Sequence, residues 1–499
     1  MESTLPGPSP AVQSRLLALP IETLEAIIEE LESRKDQLNL ALTCSTLAPL
    51  SERYMWRKLM VRTGHEAMNV ARALQVRPER MDFVHELAIC YNEEQQDGIE
   101  ALDLVLWRLH QVRHLMIEAP CPNNHTGWQG DEPFQDVTRI DYPKLFQDAI
   151  SPMISSRPLG MLQSLTLHGH RSHTDPFDLK GAESILFHPT LRSLTISCAN
   201  FNADLRVSDI DPSKLHSTPL ESLTLIECNV FPPLLDVALS LPKALVMLSL
   251  NQRIYTWPGC VPRGPKEYHL SMGRIVAKQA SSLETLIFNP GAAINWGRLY
   301  PEIASLGYLA PVPGIERDLT SLTRLKHAEV AFRPPISAPL VPWPDSLESI
   351  RYNDTWMHRG DPSMSIYLNQ LARGLLARPN IRNIELCLKI VNQLNKPCDR
   401  ARQIWLGNTQ LHKRGRLGLY RVATTLKQRG GRLRIFCEYF SEGVFFIPPF
   451  LESEEKPKES LFYDSEDPCR FEGTELRDTE LFWWEEGRAK GLRSEFMED

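Results

Sequence analysis

A six-residue apolar pattern, here called the hexad, recurs along most of the 499-residue chain. It has apolar residues at its first, fourth and sixth positions and variable residues elsewhere. Nearly identical copies, LQSLTL, LRSLTI and LESLTL, begin at residues 162, 191 and 220. Further copies begin at residues 84, 112, 245 and 283, and weaker ones begin at residues 325, 347, 381 and 431. A pattern that returns in this way predicts a repeat architecture.

The spacing of the apolar residues predicts a β-strand in each hexad. Side chains alternate along a strand, so the fourth and sixth residues point to one side and the third and fifth to the other. One unit cannot bury its own apolar face, so neighbouring units are expected to stack. The predicted fold class is α/β, a solenoid with a parallel inner sheet and outer helices. Helical patterns occur at residues 99–111, 143–154, 270–280, 365–378 and 419–429.

Residues on the polar side of these strands form a candidate surface for binding another protein. In the early repeats they are mostly short hydroxyl side chains, which suggests a shallow and adaptable surface. The alternative interpretation is that threonine stands there only because it favours strands. The candidate residues are Thr166, His168, Thr195, Thr224, Ser249, Asn251, Asn289, Arg351 and Glu385.

Residues 15–62 show another pattern, that of three short amphipathic helices. Apolar residues recur after Pro20 at i, i+3, i+4 and i+7, which is one stripe on a helix. Asp36 is the predicted N-cap of the second helix, and the segment SERYMWRKL (51–59) is the third. Helices this short bury little surface alone, so a partner or the next domain must cover part of the apolar face.

This N-terminal pattern resembles the F-box motif, in the divergent form common in fungal proteins. The hexads resemble the leucine-rich repeat, and LESLTLIEC at 220–228 ends on the cysteine of that template. A plain helical cap for the following domain is the alternative interpretation of the N-terminal helices. The residues that carry the F-box resemblance are Leu19, Pro20, Glu22, Leu24, Ile27, Ile28, Leu31, Leu38, Leu40, Leu42, Cys44, Tyr54 and Trp56.

The resemblance implies a substrate-recognition subunit of an SCF-type cullin–RING ubiquitin ligase. The F-box would dock a Skp-family linker, and the repeats would hold an unidentified target protein. Such a subunit is not an enzyme, because it acts by raising the effective concentration of the target. The alternatives are a scaffold acting outside any ligase and a hydrolase on an unusual repeat scaffold. The residues that the resemblance assigns to linker docking are Leu19, Pro20, Leu24, Ile27, Ile28 and Leu31.

The expected organisation is a flexible segment (1–14), the F-box-like module (15–62), an irregular leucine-rich-repeat array (63–440) and an acidic, aromatic-containing tail (441–499). The net charge of −7 does not indicate a nucleic-acid partner. Residues 399–434 carry ten basic residues and one acid, and residues 452–499 carry sixteen acids and seven bases. These opposite charges predict that the tail folds back on the basic block. Docking of an acidic or phosphorylated partner there is the alternative.

The cysteines indicate a reducing compartment. Ten are present, none forms a CxxC pair, and several lie in apolar runs, which is typical of free thiols. No run of about 18 apolar residues predicts a membrane span, and the sequence MESTLPGPSP lacks the pattern of a signal peptide. We therefore expect a cytoplasmic or nuclear protein.

No motif predicts catalysis or a cofactor. The nucleotide-binding, zinc-protease and nucleophile-elbow patterns are missing from the sequence. His168, His170, His173 and Asp175 have side chains that bind zinc, but no second ligand group with recognisable spacing accompanies them. No metal site is predicted.

Overall fold

The chain divides into two compact units in the computed structural model. Unit 1 comprises residues 1–118 and 133–165, and unit 2 comprises residues 119–132 and 166–499. The structure describes residues 15–31, 33–90, 95, 97–118, 140–154, 156–169, 177–252, 273–289, 319–331, 343–356, 378–391, 422–440 and 458–466.

Unit 1 begins with three helices and continues with strands and helices in turn. Strands β1, β2 and β3 pair in that order, and both pairs are parallel. The elements are α1 (Ile21–Glu29), α2 (Arg34–Thr43), α3 (Leu47–Arg57), β1 (Lys58–Val61), α4 (Gly64–Val76), β2 (Glu86–Ile89), α5 (Asp103–Leu106), β3 (His114–Glu118) and α6 (Tyr142–Ile150). Strand β4 (Ser164–His168) contains the residues at which unit 1 ends and unit 2 begins.

The three N-terminal helices are present, but three of their boundaries differ from the prediction. Helix α3 begins at Leu47, before the predicted segment 51–59. The N-cap of α2 is Ser33, whose hydroxyl lies 3.4 Å from the backbone N–H of Asp36. Asp36 therefore lies in the first turn and does not cap the helix. Helix α3 ends at Arg57 because the next four residues alternate between outward and inward side chains, with Leu59 and Val61 buried, and form β1.

Unit 2 consists mainly of parallel strands. From β6 to β14 the neighbouring strands are parallel, and β15 closes the series by pairing antiparallel with β14. The elements are β5 (Phe177–Asp178), β6 (Ser193–Ser197), β7 (Ala199–Phe201), β8 (Ser222–Val230), α7 (Pro232–Ser240), β9 (Met247–Gln252), β10 (Thr285–Asn289), β11 (His327–Ala331), β12 (Ser349–Trp356), β13 (Asn383–Val391), β14 (Arg432–Phe440) and β15 (Lys458–Asp464). Strands β5 and β7 form a small second ladder beside the end of β8.

The hexads form strands, which confirms that prediction. The copies that begin at 191, 220 and 245 give strands that start at Ser193, Ser222 and Met247, the third residue of each hexad. The pairing therefore sets equal hexad positions side by side, so that Leu223 pairs with Leu194 on one side and Leu248 on the other. All three leucines are fully buried, and each such burial contributes about 1.5–3 kcal/mol. The apolar column is thus the core of unit 2.

The predicted helices are only partly present. Helix α6 overlaps the predicted segment 143–154 and begins one residue before it, and residues 273–277 and 422–427 are helical within 270–280 and 419–429. The segment 99–111 contains only short helical turns, including α5. The predicted helix at 365–378 lies outside the described residues, except for residue 378.

A buried amide joins two repeats of unit 2. The side chain of Gln279 is 2% exposed. Its Nε2 donates to the carbonyls of Leu239 (2.7 Å) and Pro242 (3.3 Å). Its Oε1 accepts from the backbone N–H of Leu245 (3.0 Å) and from the hydroxyl of Ser282 (2.9 Å). The Gln279 side chain therefore provides a hydrogen-bond partner for four polar groups inside the protein.

Replacing this amide by an apolar side chain of similar size is expected to destabilise unit 2. The substitution Gln279→Leu should lower the free energy of unfolding by about 2 kcal/mol or more, because buried donors and acceptors lose their partners. Urea unfolding monitored by circular dichroism measures the change, with the exposed Ser281→Ala as the control. An unfolding midpoint equal to that of the control would contradict this role for Gln279.

Candidate protein-binding surface

The polar face of the unit 2 sheet carries the third and fifth residues of each hexad. In-register pairing places Ser193 beside Ser222 and Thr195 beside Thr224. These four side chains are half-buried, whereas the leucines between them are fully buried. Strands β6 and β8 therefore present a low, uncharged row of hydroxyl groups. Such a row can donate and accept hydrogen bonds without requiring a charged partner.

Most of the candidate residues with described side chains lie on this polar face. Thr166, Thr195 and Thr224 are half-buried there, and so are Arg351 and Glu385. Ser249 has the same orientation but is only 5% exposed. For Asn251 and Asn289 the structure describes the backbone alone, which pairs these two residues across β9 and β10.

His168 is the exception, because it does not reach the surface that the alternation predicts. Its side chain is 1% exposed, and its Nδ1 lies 2.6 Å from the hydroxyl of Ser197, which is also buried. His168 is the last residue of β4, where strict alternation no longer applies. The residue therefore has an internal hydrogen-bonding role in unit 2.

Charged side chains replace the hydroxyl row from β11 onward. We call the following residues the charged cluster: His327, Glu329, Ser349, Arg351, Asn353, Glu385 and Arg434. They lie on strands β11 to β14 at matching positions, since the register pairs Glu329 with Arg351, Arg351 with Glu385, and Glu385 with Arg434. Acidic and basic side chains thus alternate from strand to strand, an arrangement that stabilises neighbouring strands.

Hydrogen bonds connect the charged cluster across four strands. Arg351 donates from Nη1 to Glu385 (3.1 Å) and from Nε to Asn353 (2.9 Å). Asn353 in turn donates to Glu329 (3.1 Å). Arg434 donates to the second carboxylate oxygen of Glu385. One carboxylate therefore holds two guanidinium groups in fixed positions.

An aromatic ring supports the same two arginines. The guanidinium carbons of Arg351 and Arg434 lie 5.3 Å and 5.6 Å from the centre of the Phe436 ring. Cation–π contacts at this distance are favourable. The charges of two carboxylates and two guanidinium groups cancel. The cluster therefore interacts with a partner through directed hydrogen bonds more than through a net electric field. A surface of this kind provides specificity more than affinity.

Glu329 remains ionised within the cluster. Burial raises its pKa, but hydrogen bonds from His327 and Asn353 and the positive charge of Arg351 outweigh burial, so the pKa is lowered overall. The carboxylate is therefore an acceptor at neutral pH.

The basic block and the acidic tail meet at β14 and β15. Arg432 donates from Nε to Asp464 (2.8 Å), and its Nη1 lies 3.3 Å from a carboxylate oxygen of Glu466. Asp464 is only 2% exposed. Its pKa is lowered, chiefly because Arg432 donates hydrogen bonds to it. For residues 458–466 the prediction that the tail folds back on the basic repeats is confirmed. The rest of the tail lies outside the described residues.

The N-terminal module of unit 1 presents an apolar surface, in contrast to the polar face of unit 2. Leu24, Ile28, Leu47 and Leu50 form its core, and Leu40, Cys44 and Tyr54 pack against it. Thirteen large hydrophobic side chains are exposed in the described part of the chain. Seven of these lie between residues 16 and 42: Leu16, Leu17, Leu19, Ile21, Ile27, Leu38 and Leu42.

Some of the residues assigned to linker docking lie in the core of the module, and others are exposed. Leu24 and Ile28 are 5% and 1% exposed, so they are occupied by the core of the module. Leu19 and Ile27 are 38% and 40% exposed, Pro20 is also exposed, and Leu31 is half-buried. Only the exposed members of the predicted set can contact a partner directly.

Sequence reasoning missed several residues of the charged cluster: His327, Glu329, Ser349 and Arg434. The signal was available, because each occupies the third or fifth position of its hexad or pairs in register with a residue that does. These strands come from the weak hexads, in which charged residues stand next to the apolar ones.

The described residues show neither a metal-ligand cluster nor a membrane span. No group of three or more metal-binding side chains occurs in that part of the chain. His170, His173 and Asp175 lie outside it. Among the described helices, none combines the length and apolar composition that crossing a bilayer requires.

No protein-family model matches the chain, and its sequence matches no curated protein.

Removing the shared carboxylate should weaken unit 2. In Glu385→Gln, the two arginines lose their common counter-charge, and we expect a loss of about 1–2 kcal/mol in the free energy of unfolding, allowing for solvent screening. Urea unfolding measures the loss. Glu348→Gln, at an exposed position just before β12, is the control. Equal stability of the two variants would show that the cluster does not support the sheet.

The contact between Arg432 and Asp464 should make the attachment of β15 dependent on pH. A lowered pKa in the folded state stabilises the fold above the unfolded value of about 3.9, and this stabilisation is lost as the pH falls through the folded value. Asp464→Asn should therefore lower the thermal midpoint at pH 7 and have progressively less effect below pH ~4. Glu466→Gln, which removes the more exposed partner of Arg432, is the control. A difference from wild type that is the same at pH 7 and pH 3 would contradict the assignment.

Proposed function

We propose that this protein is a substrate-recognition adaptor of an SCF-type cullin–RING ubiquitin ligase, acting in the cytoplasm or nucleus. The N-terminal module would dock a Skp-family linker, and the polar face of unit 2 would bind the target protein. Both assignments build on the sequence resemblance to F-box and leucine-rich-repeat proteins. In this role the chain holds two proteins near each other and performs no bond chemistry itself.

The observation that carries the proposal is the exposed apolar surface of the N-terminal module. Leu19, Ile21 and Ile27 are 38%, 55% and 40% exposed, while Leu38 and Leu42 on α2 are 47% and 76% exposed. A concentration of apolar side chains in so short a segment is unfavourable in water and marks an interaction site. A linker that covered these residues would remove the penalty.

The chemistry of unit 2 supports the second half of the proposal. Its polar face offers a hydroxyl row and a charge-balanced cluster whose side chains are already held in place. Pre-organised side chains lose less conformational entropy on binding, which favours a specific partner. Cys198, Cys228 and Cys387 are buried cysteines that belong to no disulfide among the described residues, which supports a reducing compartment.

Linker binding should depend on the exposed apolar residues. The double substitution Leu19→Ala and Ile27→Ala should weaken capture of a Skp-family linker by about tenfold or more, since truncating central apolar contacts costs above 1 kcal/mol each. A pull-down with purified linker and full-length protein measures capture. Met153→Ala with Leu104→Ala is a matched control, because these exposed apolar residues of unit 1 lie outside the module. Capture unchanged in the first variant would exclude this docking surface.

The alternative function is an interaction scaffold that works outside a ligase. Affinity purification of the full chain and of a chain lacking residues 1–62 separates the two functions. Cullin and linker should be lost together from the shortened chain if the adaptor proposal is correct. Recovery of the linker without a cullin would favour the scaffold.

A further inference from the structure

One part of the charged cluster has the geometry of an activated nucleophile. Ser349 on β12 and His327 on β11 are register partners. The Ser349 hydroxyl oxygen lies 2.5 Å from Nδ1 of His327. Nε2 of the same ring lies 3.3 Å from Oε1 of Glu329. A hydroxyl, an imidazole and a carboxylate thus form one hydrogen-bonded series.

In the neutral imidazole, the two contacts define the tautomer that activation requires. If the Ser349 hydroxyl donates to Nδ1 of His327, that nitrogen is the acceptor and Nε2 carries the hydrogen that faces Glu329. Glu329 can therefore orient the ring and stabilise the imidazolium that forms when the ring takes up a proton. This division of roles defines nucleophile–base–acid sites on unrelated folds, whatever the order of the residues in the chain.

Solvent exposure distinguishes this series from the pair formed by Ser197 and His168. Ser349 is half-buried, and the side chains of His327 and Glu329 are 30% and 24% exposed. Ser197 and His168 also lie within hydrogen-bonding distance, but they are 0% and 1% exposed. Of these two pairs, only Ser349 and His327 are accessible to a reagent in solution.

A third serine–histidine pair, in unit 1, lacks the carboxylate. The hydroxyl of exposed Ser156 lies 3.0 Å from Nε2 of His110, and Nδ1 of that ring lies 3.0 Å from the backbone carbonyl of Arg157. A neutral carbonyl stabilises an imidazolium less than a carboxylate does. This pair is therefore a natural comparison for the contribution of Glu329.

We propose that Ser349 is a nucleophile of the acyl-transfer type, activated by His327 and Glu329, and that it accepts the acyl group of an activated carboxylic ester. The serine oxygen forms a bond to the acyl carbon while the bond from that carbon to the leaving oxygen breaks. The hydroxyl proton passes to His327 and then to the leaving alkoxide. Water then forms a bond to the acyl carbon while the bond from that carbon to the serine oxygen breaks. His327 takes a proton from the water and passes it to the serine oxygen, which releases the carboxylic acid and restores the serine.

The sheet limits how fast such a site can turn over. The backbone N–H of Ser349 donates to the carbonyl of Lys326, so it does not serve as an oxyanion donor. Stabilisation of a developing negative charge must come from side chains such as Arg351, two residues along the same strand face. Missing backbone donors lower the rate by orders of magnitude. Covalent labelling is therefore a sharper readout than turnover.

An alkyl fluorophosphonate carrying a biotin tag tests the proposal on the full-length protein. The serine oxygen forms a bond to phosphorus, fluoride leaves, and the hydroxyl proton passes through His327 to solvent. Peptide mapping by mass spectrometry should find the adduct on Ser349. Labelling at this residue should fall by about tenfold or more in His327→Gln and by a smaller factor in Glu329→Gln, as expected when a base and its orienting acid are removed.

Internal comparisons make the result decisive. Ser222 occupies the same hexad position with no histidine in the adjacent pairing positions, which are held by Ser193 and Met247, so it should stay unlabelled. Ser156 should react more slowly than Ser349. The absence of an adduct on Ser349 in the wild type, or equal rates for Ser349 and either comparison serine, would overturn the proposal. Circular dichroism of each variant checks that the fold is retained.

This inference is independent of the adaptor role. Labelling of Ser349 requires no linker and no target protein, and linker capture depends on residues of the N-terminal module. The nucleophile proposal can therefore fail while the adaptor proposal holds, and the reverse is also true.

Discussion

The structure depends above all on the parallel, in-register pairing of the strands. Because side chains alternate, a shift of one residue between two strands would turn the buried leucines outward and the polar side chains inward. The backbone ladder prevents this shift, as when the N–H groups of Lys326 and His327 both donate to the carbonyl of Glu284. The strand register therefore keeps the leucines buried in the core and determines which residues form the surface.

The same constraint separates the positions that the fold requires from those it leaves free. Leu223, Leu248 and Ile384 must be apolar because they are fully buried. The third and fifth positions face outward and can change without disturbing that column. In unit 2 they change from hydroxyls on β6 and β8 to charges on β11 to β14. Surface chemistry can thus vary from strand to strand on a constant framework.

The hexads allowed the strands and their buried faces to be predicted, because a period of two is visible in the sequence. Other features depend on information that no local pattern contains. His168 is buried because β4 ends there, and β1 arises where a third helix was expected to continue. The contact between His327 and Ser349 joins residues 22 positions apart. It follows only once the two weak hexads are aligned in register, so the prediction included Arg351 and Glu385 but not His327, Glu329 or Ser349.

The two surfaces of this protein differ in the kind of partner they suit. Exposed leucines and isoleucines on the N-terminal module resemble the apolar centre of a lasting interface, where burial supplies affinity. The face of unit 2 is polar, charge-balanced and only half-buried, which is typical of surfaces that bind and release specific partners. An adaptor needs both properties, since it must stay attached to its linker while it exchanges targets. This contrast in chemistry supports the adaptor proposal.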